Sequence, residues 1–373
     1  MPQELPKKGD PQTIYVIDIS SYVFRAYHAL PPLSNSKSEP THAVSGVASM
    51  LLKLLREREP SHVVVAMDSR GKSFRKDLYE PYKANRPPAP PDLHQQMVRV
   101  REIAQAWGMS PIEAPGFEAD DIIATLVSQA RDKGLRVVIV SADKDLLQLV
   151  GPDVSMYDTM RDKVFGPDET REKLGVEPGQ VRDLLALMGD SSDNVPGVPS
   201  VGQKTAAKLL AEYGSFDGIY ENLESITRKA LKAKLADHRD EALTSRELVT
   251  LRDDVAIDGD VLATSYDGGD TSALRTLFSE LELTRLLAQL DPAPVVEGHY
   301  ETILTPEGLS RIAAAVREVG RFAAYTLMDI DDPMKAELVG VALSWVEGVS
   351  AYIPLGHRYI GAPEHLSWEE AGP

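Results

Sequence analysis

Three short apolar runs, rich in β-branched residues and each closed by an aspartate, constrain the fold of this chain more than any other feature. They span residues 14–18, 62–68 and 137–143. Near-continuous apolar runs of this length are typical of strands that are buried on both faces of a parallel sheet. Helical patterns occupy residues 44–58 and 120–133 between them. This alternation predicts an α/β fold whose ligands bind beyond the carboxyl ends of the strands.

Acidic residues recur where these strands end and where helices begin. They are Asp18, Asp68, Glu118, Asp120, Asp121, Asp143, Asp145, Asp190 and Asp193. Taken alone, each group is more simply interpreted as a helix cap or a surface turn. Together they bring carboxylates from five segments to one sheet edge, where they repel one another unless cations neutralise them. Oxygen ligands without Cys or His favour Mg²⁺ or Mn²⁺, and two such ions about 4 Å apart can cleave a phosphodiester.

Six motifs follow one another in a fixed order between residue 13 and about residue 290. They lie at residues 16–28, 68–75, 82–87, 118–121, 142–145 and 189–194. Their order and content resemble the 5′ nuclease region of bacterial DNA polymerase I, with Ile19 in place of the usual glycine. The resemblance implies a parallel-sheet (PIN-like) α/β core over residues 1–178. It also implies a helical DNA-binding subdomain of the helix–turn–helix (helix–hairpin–helix) type over residues 179–290.

The same resemblance implies a division of the carboxylates between two Mg²⁺ ions, for which Mn²⁺ can substitute. Asp18, Asp68, Glu118, Asp120 and Asp121 are expected around one ion, and Asp145, Asp190 and Asp193 around the other, with Asp143 near both. The implied reaction is hydrolysis of DNA or RNA-primer phosphodiesters near 5′ ends, flaps, nicks and branched junctions, in Okazaki-fragment maturation and DNA repair. Two alternatives stay open: a catalytically idle DNA-binding module and a PIN-type ribonuclease.

A basic, proline-rich insert, residues 69–93, follows the second apolar run. We call it the arch segment, because the resemblance implies an arch over an unpaired 5′ strand. A solvated flexible loop is the simpler interpretation of such a segment. The resemblance assigns Lys83 and Arg86 to the scissile phosphate, so these two and Asp143 are the predicted catalytic residues. Further predicted DNA-binding residues are Arg25, Arg70, Lys72, Arg75 and Tyr82.

A glycine-rich segment, residues 197–205, nearly spells a nucleotide-binding P-loop. It fails because Gln203 separates Gly202 from Lys204. A glycine-rich turn that opens a helix presents backbone N–H groups to a phosphate, whatever the base sequence. The turn resembles the element with which these nucleases grip duplex DNA, and in relatives it also holds one K⁺. The residues predicted to contact DNA here are Gly197, Gly202, Lys204 and Thr205, with the K⁺ at the turn from Gly197 to Gly202.

The C-terminal residues have a different character. A probable linker, 291–299, precedes residues 300–373, which resemble the start of the polymerase's RNase H-like 3′-5′ exonuclease fold. That activity needs two carboxylates on the first strand, where this chain has Tyr325 and Leu327. A partial and degenerate exonuclease-like unit is therefore expected.

The net charge of −17 argues at first against a nucleic-acid partner. However, residues 291–373 carry 13 acidic and five basic side chains, which leaves −9 for the rest, and the nine site carboxylates account for that. The chain has no cysteine, and its N-terminal residues lack the apolar stretch of a signal peptide. We therefore expect a cytoplasmic protein that is not associated with a membrane. The resemblance further implies a bacterial protein associated with the nucleoid, and we expect a monomer.

Overall fold

The computed structural model describes residues 3–109, 111–257, 265–290, 298–329, 336–358 and 365–367. The chain divides into two compact units, residues 1–290 and 291–373. Most of the predicted linker, residues 291–297, lies outside the described residues. Within the described ranges, no helix is both long and apolar enough to cross a membrane.

A six-stranded sheet forms the centre of the first unit. Its strands are β1 Thr13–Asp18, β2 His62–Ala66, β3 Pro111–Ile112, β4 Arg136–Val140, β5 Val154–Asp158 and β6 Lys163–Phe165. Their spatial order is β3-β2-β1-β4-β5-β6, and all pairs are parallel except β5 with β6. The carboxyl ends of the five parallel strands therefore meet at one edge of the sheet, as the apolar runs predict.

Helices cover both faces of this sheet. They are α1 Ile19–Ala29, α2 His42–Arg58, α3 Arg75–Leu78, α4 Pro91–Ala106, α5 Ala119–Asp132 and α6 Pro167–Leu174. Side chains alternate along β1: Ile14 and Val16 pack in a core with residues of α5, whereas Tyr15 and Ile17 pack with residues of α1, α2 and α4. Because both faces are buried, the strands read as continuous apolar runs.

Two strands end earlier than the apolar runs suggest. β2 ends at Ala66 and β4 at Val140, so Asp68 and Asp143 lie in the loops that follow. The backbone N–H of Asp68 donates to Ser20 Oγ at 3.0 Å, and Asp143 caps a short 3₁₀ helix, Lys144–Leu149. Both carboxylates stay at the sheet edge, although neither belongs to a strand.

A helical region follows the sheet. Its helices are α7 Val181–Met188, α8 Gln203–Tyr213, α9 Phe216–Glu221, α10 Lys229–Asp237, α11 Arg239–Val249, α12 Thr271–Glu280 and α13 Thr284–Leu290. Helix α7 packs against α8 and α11 and against the 3₁₀ helix that follows β4. The connection from α7 to α8 folds back on itself, because Asp190 and Val195 exchange backbone hydrogen bonds. This arrangement brings Asp190 and Asp193 to the sheet edge.

The second unit contains a four-stranded sheet and one helix among its described residues. They are β7 His299–Thr302, α14 Pro306–Val319, β8 Ala323–Met328, β9 Leu338–Val346 and β10 Val349–Pro354, with strand order β7-β10-β9-β8. Strand β8 pairs with β9 alone, and its residues are exposed, including Tyr325 and Leu327. Because these two positions hold a tyrosine and a leucine, neither supplies a carboxylate.

The turn between α7 and α8 contains a close backbone contact at Gly197. The stability of variants tests whether the turn needs a glycine at this position. Gly197 has a φ of 60°, and a Cβ there would collide with the backbone of Gly189. We expect Gly197→Ala to lower the free energy of unfolding by about 3 kcal/mol, because strain and the clash add. The control Gly202→Ala, whose Cβ would meet nothing within 4 Å, should cost about 1 kcal/mol or less. Equal losses in chemical unfolding would contradict this view of the turn.

Candidate active site

Backbone groups hold the first carboxylates at the sheet edge. Asp18, at the end of β1, is buried and accepts hydrogen bonds from the Ser21 N–H at 3.0 Å and from Ser141 Oγ at 2.8 Å. Asp68 accepts the N–H of Ala119, the first residue of α5, at 2.9 Å. The Ser141–Asp18 bond ties the loop after β4 to the end of β1, and the Ala119–Asp68 bond ties the start of α5 to the loop after β2.

Asp143 and Asp190 are oriented in the same way. Asp143 accepts the N–H of Asp145 at 2.9 Å, and Asp190 accepts the N–H of Ser192 at 2.8 Å. One small cavity at this edge is lined in part by Glu118, Asp120, Asp145, Asp190 and Asp193. We call eight residues the carboxylate pool: Asp18, Asp68, Glu118, Asp120, Asp143, Asp145, Asp190 and Asp193.

Burial and electrostatic repulsion both raise pKa values within the pool. Burial raises the pKa of Asp18 to about 7, and the charges of Asp68 and Asp143 add to the shift. Burial and then the charges of Asp143, Asp18 and Asp68 raise the pKa of Asp120 well above its usual value. Burial raises the pKa of Asp145 to about 7, with Asp143 as the largest neighbouring charge. The pool therefore favours any cation that can offset its charge.

Four side-chain cations of the described residues contact the pool, and one of them is Arg75, whose Nη1 lies 3.4 Å from Glu118 Oε2. Lys83 Nζ lies 2.8 Å from Glu118 Oε1 and 3.7 Å from Asp193 Oδ2, and Arg86 also pairs with Asp193. Lys144 Nζ lies 2.5 Å from Asp190 Oδ2. The pKa of Asp190 falls although burial alone would raise it, because hydrogen bonds from Lys144 and Ser192 outweigh burial. Within the described part of the chain, no three acidic or histidine side chains form a ready-made metal site.

The donor set nevertheless fits hard divalent cations. Every pool member offers carboxylate oxygens, and the chain has no cysteine to recruit softer metals. Exposed cations stand beside the pool on the arch segment, where a phosphate can approach. Chemically, such a pool can hold divalent ions against a phosphodiester.

Comparison with known proteins now decides the family. A family model described as 5′-3′ exonuclease, N-terminal resolvase-like domain, matches residues 13–175, and one described as 5′-3′ exonuclease, C-terminal SAM fold, matches residues 176–272. A 5′-3′ exonuclease from Aquifex aeolicus is 41% identical over 280 residues, which cover 75% of this chain and 96% of the relative. The chain belongs to the 5′-3′ exonuclease family.

Relatives named DNA polymerase I extend this family to longer chains. The Pseudomonas aeruginosa polymerase is 37% identical over 373 residues, covering 95% of this chain and 41% of the relative. The Rhizobium leguminosarum polymerase is 44% identical over 295 residues, covering 77% of this chain and 29% of the relative. The present chain thus spans well under half of the length of these polymerases. The resemblance inferred from the six motifs is confirmed.

Solved structures share the fold of this chain. The T5 D15 protein, co-crystallised with metal ions, matches with a TM-score of 0.55 and 20% identity over 74% of this chain and 98% of that one. The catalytic core of Rad2 in complex with a DNA substrate matches with a TM-score of 0.54 and 16% identity over 76% and 93%. These likenesses confirm the predicted α/β parallel-sheet core with its helical region.

Two predicted site residues have a role different from the expected one. Arg75, predicted to contact DNA, is only 2% exposed. Its guanidinium forms a bidentate ion pair with Asp121, at 2.6 and 2.7 Å. Both oxygens of Asp121 are thereby engaged, and the carboxylate also accepts the N–H groups of Glu118 and Arg252. The structure therefore corrects both assignments: Arg75 is not available to DNA, and Asp121 is a structural partner rather than a metal ligand.

Two further predicted contacts are corrected by burial. Tyr82 is 4% exposed, and its hydroxyl donates to Glu118 at 3.0 Å, so its ring offers no face for stacking a base. The backbone N–H of Gly197 donates to Ser245 Oγ at 2.9 Å in a buried position, so it is not available to a phosphate. In both cases the hydrogen-bond partner is remote in sequence, and the local motif carries no sign of it.

The other residues predicted to bind DNA lie nearer the surface. They are Arg70, Lys72, Arg86, Gly202 and Lys204, which are exposed, and Arg25, Lys83 and Thr205, which are partly exposed. Of these, Arg25 already pairs with the buried Asp158 at 3.2 Å.

Some site residues were not predicted. Lys144 neutralises Asp190, and Ser141 donates to Asp18, yet the sequence analysis gave neither residue a role. The signal for Lys144 was available, because a lysine between Asp143 and Asp145 is placed to balance them. Ser20 and Ser141 carry no such signal, since their partners come from other segments.

The burial of Arg75 leads to a prediction about the stability of the protein. Its five N–H groups are all used, by Asp121, Glu118, Leu248 O and Thr250 O. We expect Arg75→Ala to lower the free energy of unfolding by about 3–5 kcal/mol, because it leaves the buried Asp121 without its charge partner.

Two controls define the interpretation of Arg75→Ala. Arg70→Ala, an exposed neighbour in the arch segment, should change stability by no more than about 0.5 kcal/mol. The double variant Arg75→Ala/Asp121→Ala should lose less than the sum of the two single losses, because each single variant already breaks the pair. Unchanged stability in Arg75→Ala, with weaker DNA binding, would instead restore Arg75 to the DNA contacts.

Proposed function

We propose that this exonuclease hydrolyses phosphodiesters near the 5′ ends of DNA at flaps, nicks and single-strand/duplex junctions, and of RNA primers paired with DNA. The observation that carries the proposal is the carboxylate pool at the sheet edge, flanked by Lys83 and Arg86 of the arch segment. The work we propose is Okazaki-fragment maturation and DNA repair, as part of a DNA polymerase I or derived from one. The location we propose is the bacterial cytoplasm, near the nucleoid, as a monomer.

Two Mg²⁺ ions, or Mn²⁺ in their place, would supply an activated water and would offset the charge on the leaving oxygen. We propose that Asp18, Asp68 and Asp120, with Glu118, hold one ion. We propose that Asp145, Asp190 and Asp193 hold the other, with Asp143 between. The electrostatic neighbours support this division, because Asp143 acts on Asp18 and Asp120 as well as on Asp145.

Lys83 and Arg86 are the proposed phosphate-binding catalytic residues. Lys83 has a positive φ of 54°, and its backbone N–H donates to Asp193 O at 2.9 Å, so it is fixed beside the pool. Burial lowers the pKa of Lys83, but the charges of Glu118 and Asp193 outweigh it and raise the pKa, so the ammonium stays charged. A charged group held there can stabilise a phosphoryl group as negative charge develops.

We propose that the start of α8 binds the DNA duplex. Gly202 precedes the helix, and the exposed Lys204 lies in its first turn, where helix N–H groups favour a phosphate. A K⁺ at the turn from Gly197 to Gly202 also stays a proposal, for which backbone carbonyl oxygens are suitable donors.

The metal requirement gives the most direct functional prediction. Cleavage of a 5′-flapped duplex should need Mg²⁺ or Mn²⁺ and stop in EDTA, because the donor set is all oxygen. Asp143→Ala and Asp190→Ala should each reduce cleavage by about 10³-fold or more, with the fold retained. Asp132→Ala, an exposed acid at the far end of α5, is the matched control. Cleavage of RNA flaps of the same sequence, compared with the DNA flaps, shows whether the substrate is DNA or RNA. Full cleavage by Asp143→Ala would exclude the pool as the active site.

A second prediction separates chemistry from binding. Lys83→Ala should slow single-turnover cleavage by about 10²-fold with a smaller loss of duplex affinity, because its partner is transition-state charge. Lys204→Ala should chiefly weaken binding and reduce the salt slope by about 1, as expected of a phosphate contact. If both variants weaken binding equally and leave the chemical step unchanged, these roles are wrong.

The C-terminal unit is proposed to be catalytically silent, because β8 carries Tyr325 and Leu327 where carboxylates are needed. The test is a duplex with a labelled, mismatched 3′ end and blocked 5′ ends, incubated with Mg²⁺ or Mn²⁺. No shortening is expected. Stepwise loss from the 3′ end that persists in Asp143→Ala would show an active second site.

A further inference from the structure

A second group of cations lies at the same edge of the sheet, beyond β5. Arg161 is in the turn between β5 and β6, Lys163 begins β6, and Lys173 lies near the end of α6. The strand order β3-β2-β1-β4-β5-β6 places them on the side opposite to the arch segment, which leaves the sheet after β2. The carboxylate pool, centred on the ends of β1 and β4, therefore lies between two basic flanks.

An aromatic ring and a buried carboxylate build this second flank. Lys163 Nζ and Lys173 Nζ lie 5.0 and 4.6 Å from the centroid of the Phe165 ring, close enough for cation–π attraction. Asp158 is buried and accepts the backbone N–H of Arg161, which orders the turn. The three cationic side chains are themselves exposed, so their charge faces solvent.

Acidic neighbours offset the charges of this flank only in part: Asp158 pairs with Arg161 at 3.9 Å and also acts on Lys173. Burial lowers the pKa of Lys173, and the charge of Arg161 lowers it further, which shows cations crowded together. Two of the three acids on α6 have partners of their own: Asp168 pairs with Arg171, and Glu169 accepts two backbone N–H groups. A phosphate would relieve this crowding, since it adds negative charge where cations repel.

The second flank is continuous with the duplex-gripping turn proposed above. Gln203 Nε2, at the start of α8, donates to the backbone oxygens of Lys173 at 3.0 Å and Leu174 at 3.1 Å. The start of α8, which carries Lys204, therefore lies beside Lys173 at the end of the second flank. We call Arg161, Lys163 and Lys173 the hairpin strip.

We propose that the hairpin strip binds the phosphate backbone of the duplex part of the substrate, continuing the contact made by the start of α8. The inference rests on the proposed function, because it assumes a DNA substrate whose 5′ end reaches the pool. A duplex fits better than unpaired DNA, because the aromatic ring of the strip, Phe165, is 3% exposed and cannot stack on bases. Charge without a stacking surface recognises a backbone and not a sequence.

The test is the affinity of Lys163→Gln/Lys173→Gln for a 5′-flapped duplex, measured in Ca²⁺ to prevent turnover, over a range of salt. Two lost phosphate contacts should weaken binding by about tenfold and reduce the salt slope by about 1–2. The matched control is Arg131→Gln/Lys133→Gln, which removes the same charge where α5 ends, at the opposite edge of the sheet. It should bind like the wild type. Each single lysine variant should show a part of the loss.

Two results would overturn the proposal. One is an affinity and salt slope equal to those of the wild type; the other is the same loss for an unpaired oligonucleotide, which would assign the strip to the flap. In either case, retained Mg²⁺-dependent cleavage by the wild type leaves the proposed function standing. A wild type that neither cleaves nor binds the flapped duplex would remove both proposals together.

Discussion

Like charges held close together at the carboxyl edge of the sheet repel one another, and the arrangement of the first unit follows from how that repulsion is offset. The raised pKa values of Asp18 and Asp145 show that the charged forms are disfavoured there. Two devices oppose this: backbone N–H groups of caps and turns, and cations from neighbouring segments. The simple interpretation as a cap or turn residue is correct for Asp143 and Asp190, each of which accepts a backbone N–H. Asp193 is instead held by Lys83 and Arg86. Capping therefore orients part of the pool, and the parallel sheet brings its members together.

Arg75 shows how the arch segment is joined to the rest of the unit. The segment begins after β2, yet Arg75 bonds to Asp121 of α5 and to the carbonyl of Leu248 in α11. The pair removes one carboxylate from the pool and fixes the helix that carries Asp120. One buried guanidinium thus connects the arch segment, α5 and α11.

Most of the local structure and the candidate carboxylates could be predicted from the sequence, because periodicity and spacing are local properties. The sequence did not separate Arg75 from Arg70, since both belong to one basic segment and only tertiary packing buries the first. It also could not place the Gly197 N–H, whose partner Ser245 lies 48 residues away. The hairpin strip could not be predicted from the sequence for the same reason: Lys163 and Lys173 are ten residues apart, and only folding brings both beside the Phe165 ring.

The central claim is that the carboxylate pool is one site for two metal ions. Anomalous scattering from Mn²⁺ in crystals of this protein measures that directly, independently of any substrate. The account predicts two peaks about 4 Å apart, one beside Asp18 and Asp120 and the other beside Asp145 and Asp190, with Asp143 near both. Asp121 should lie outside both coordination shells and keep its pair with Arg75. A single peak, peaks elsewhere in the chain, or a metal bound by Asp121 would contradict the account.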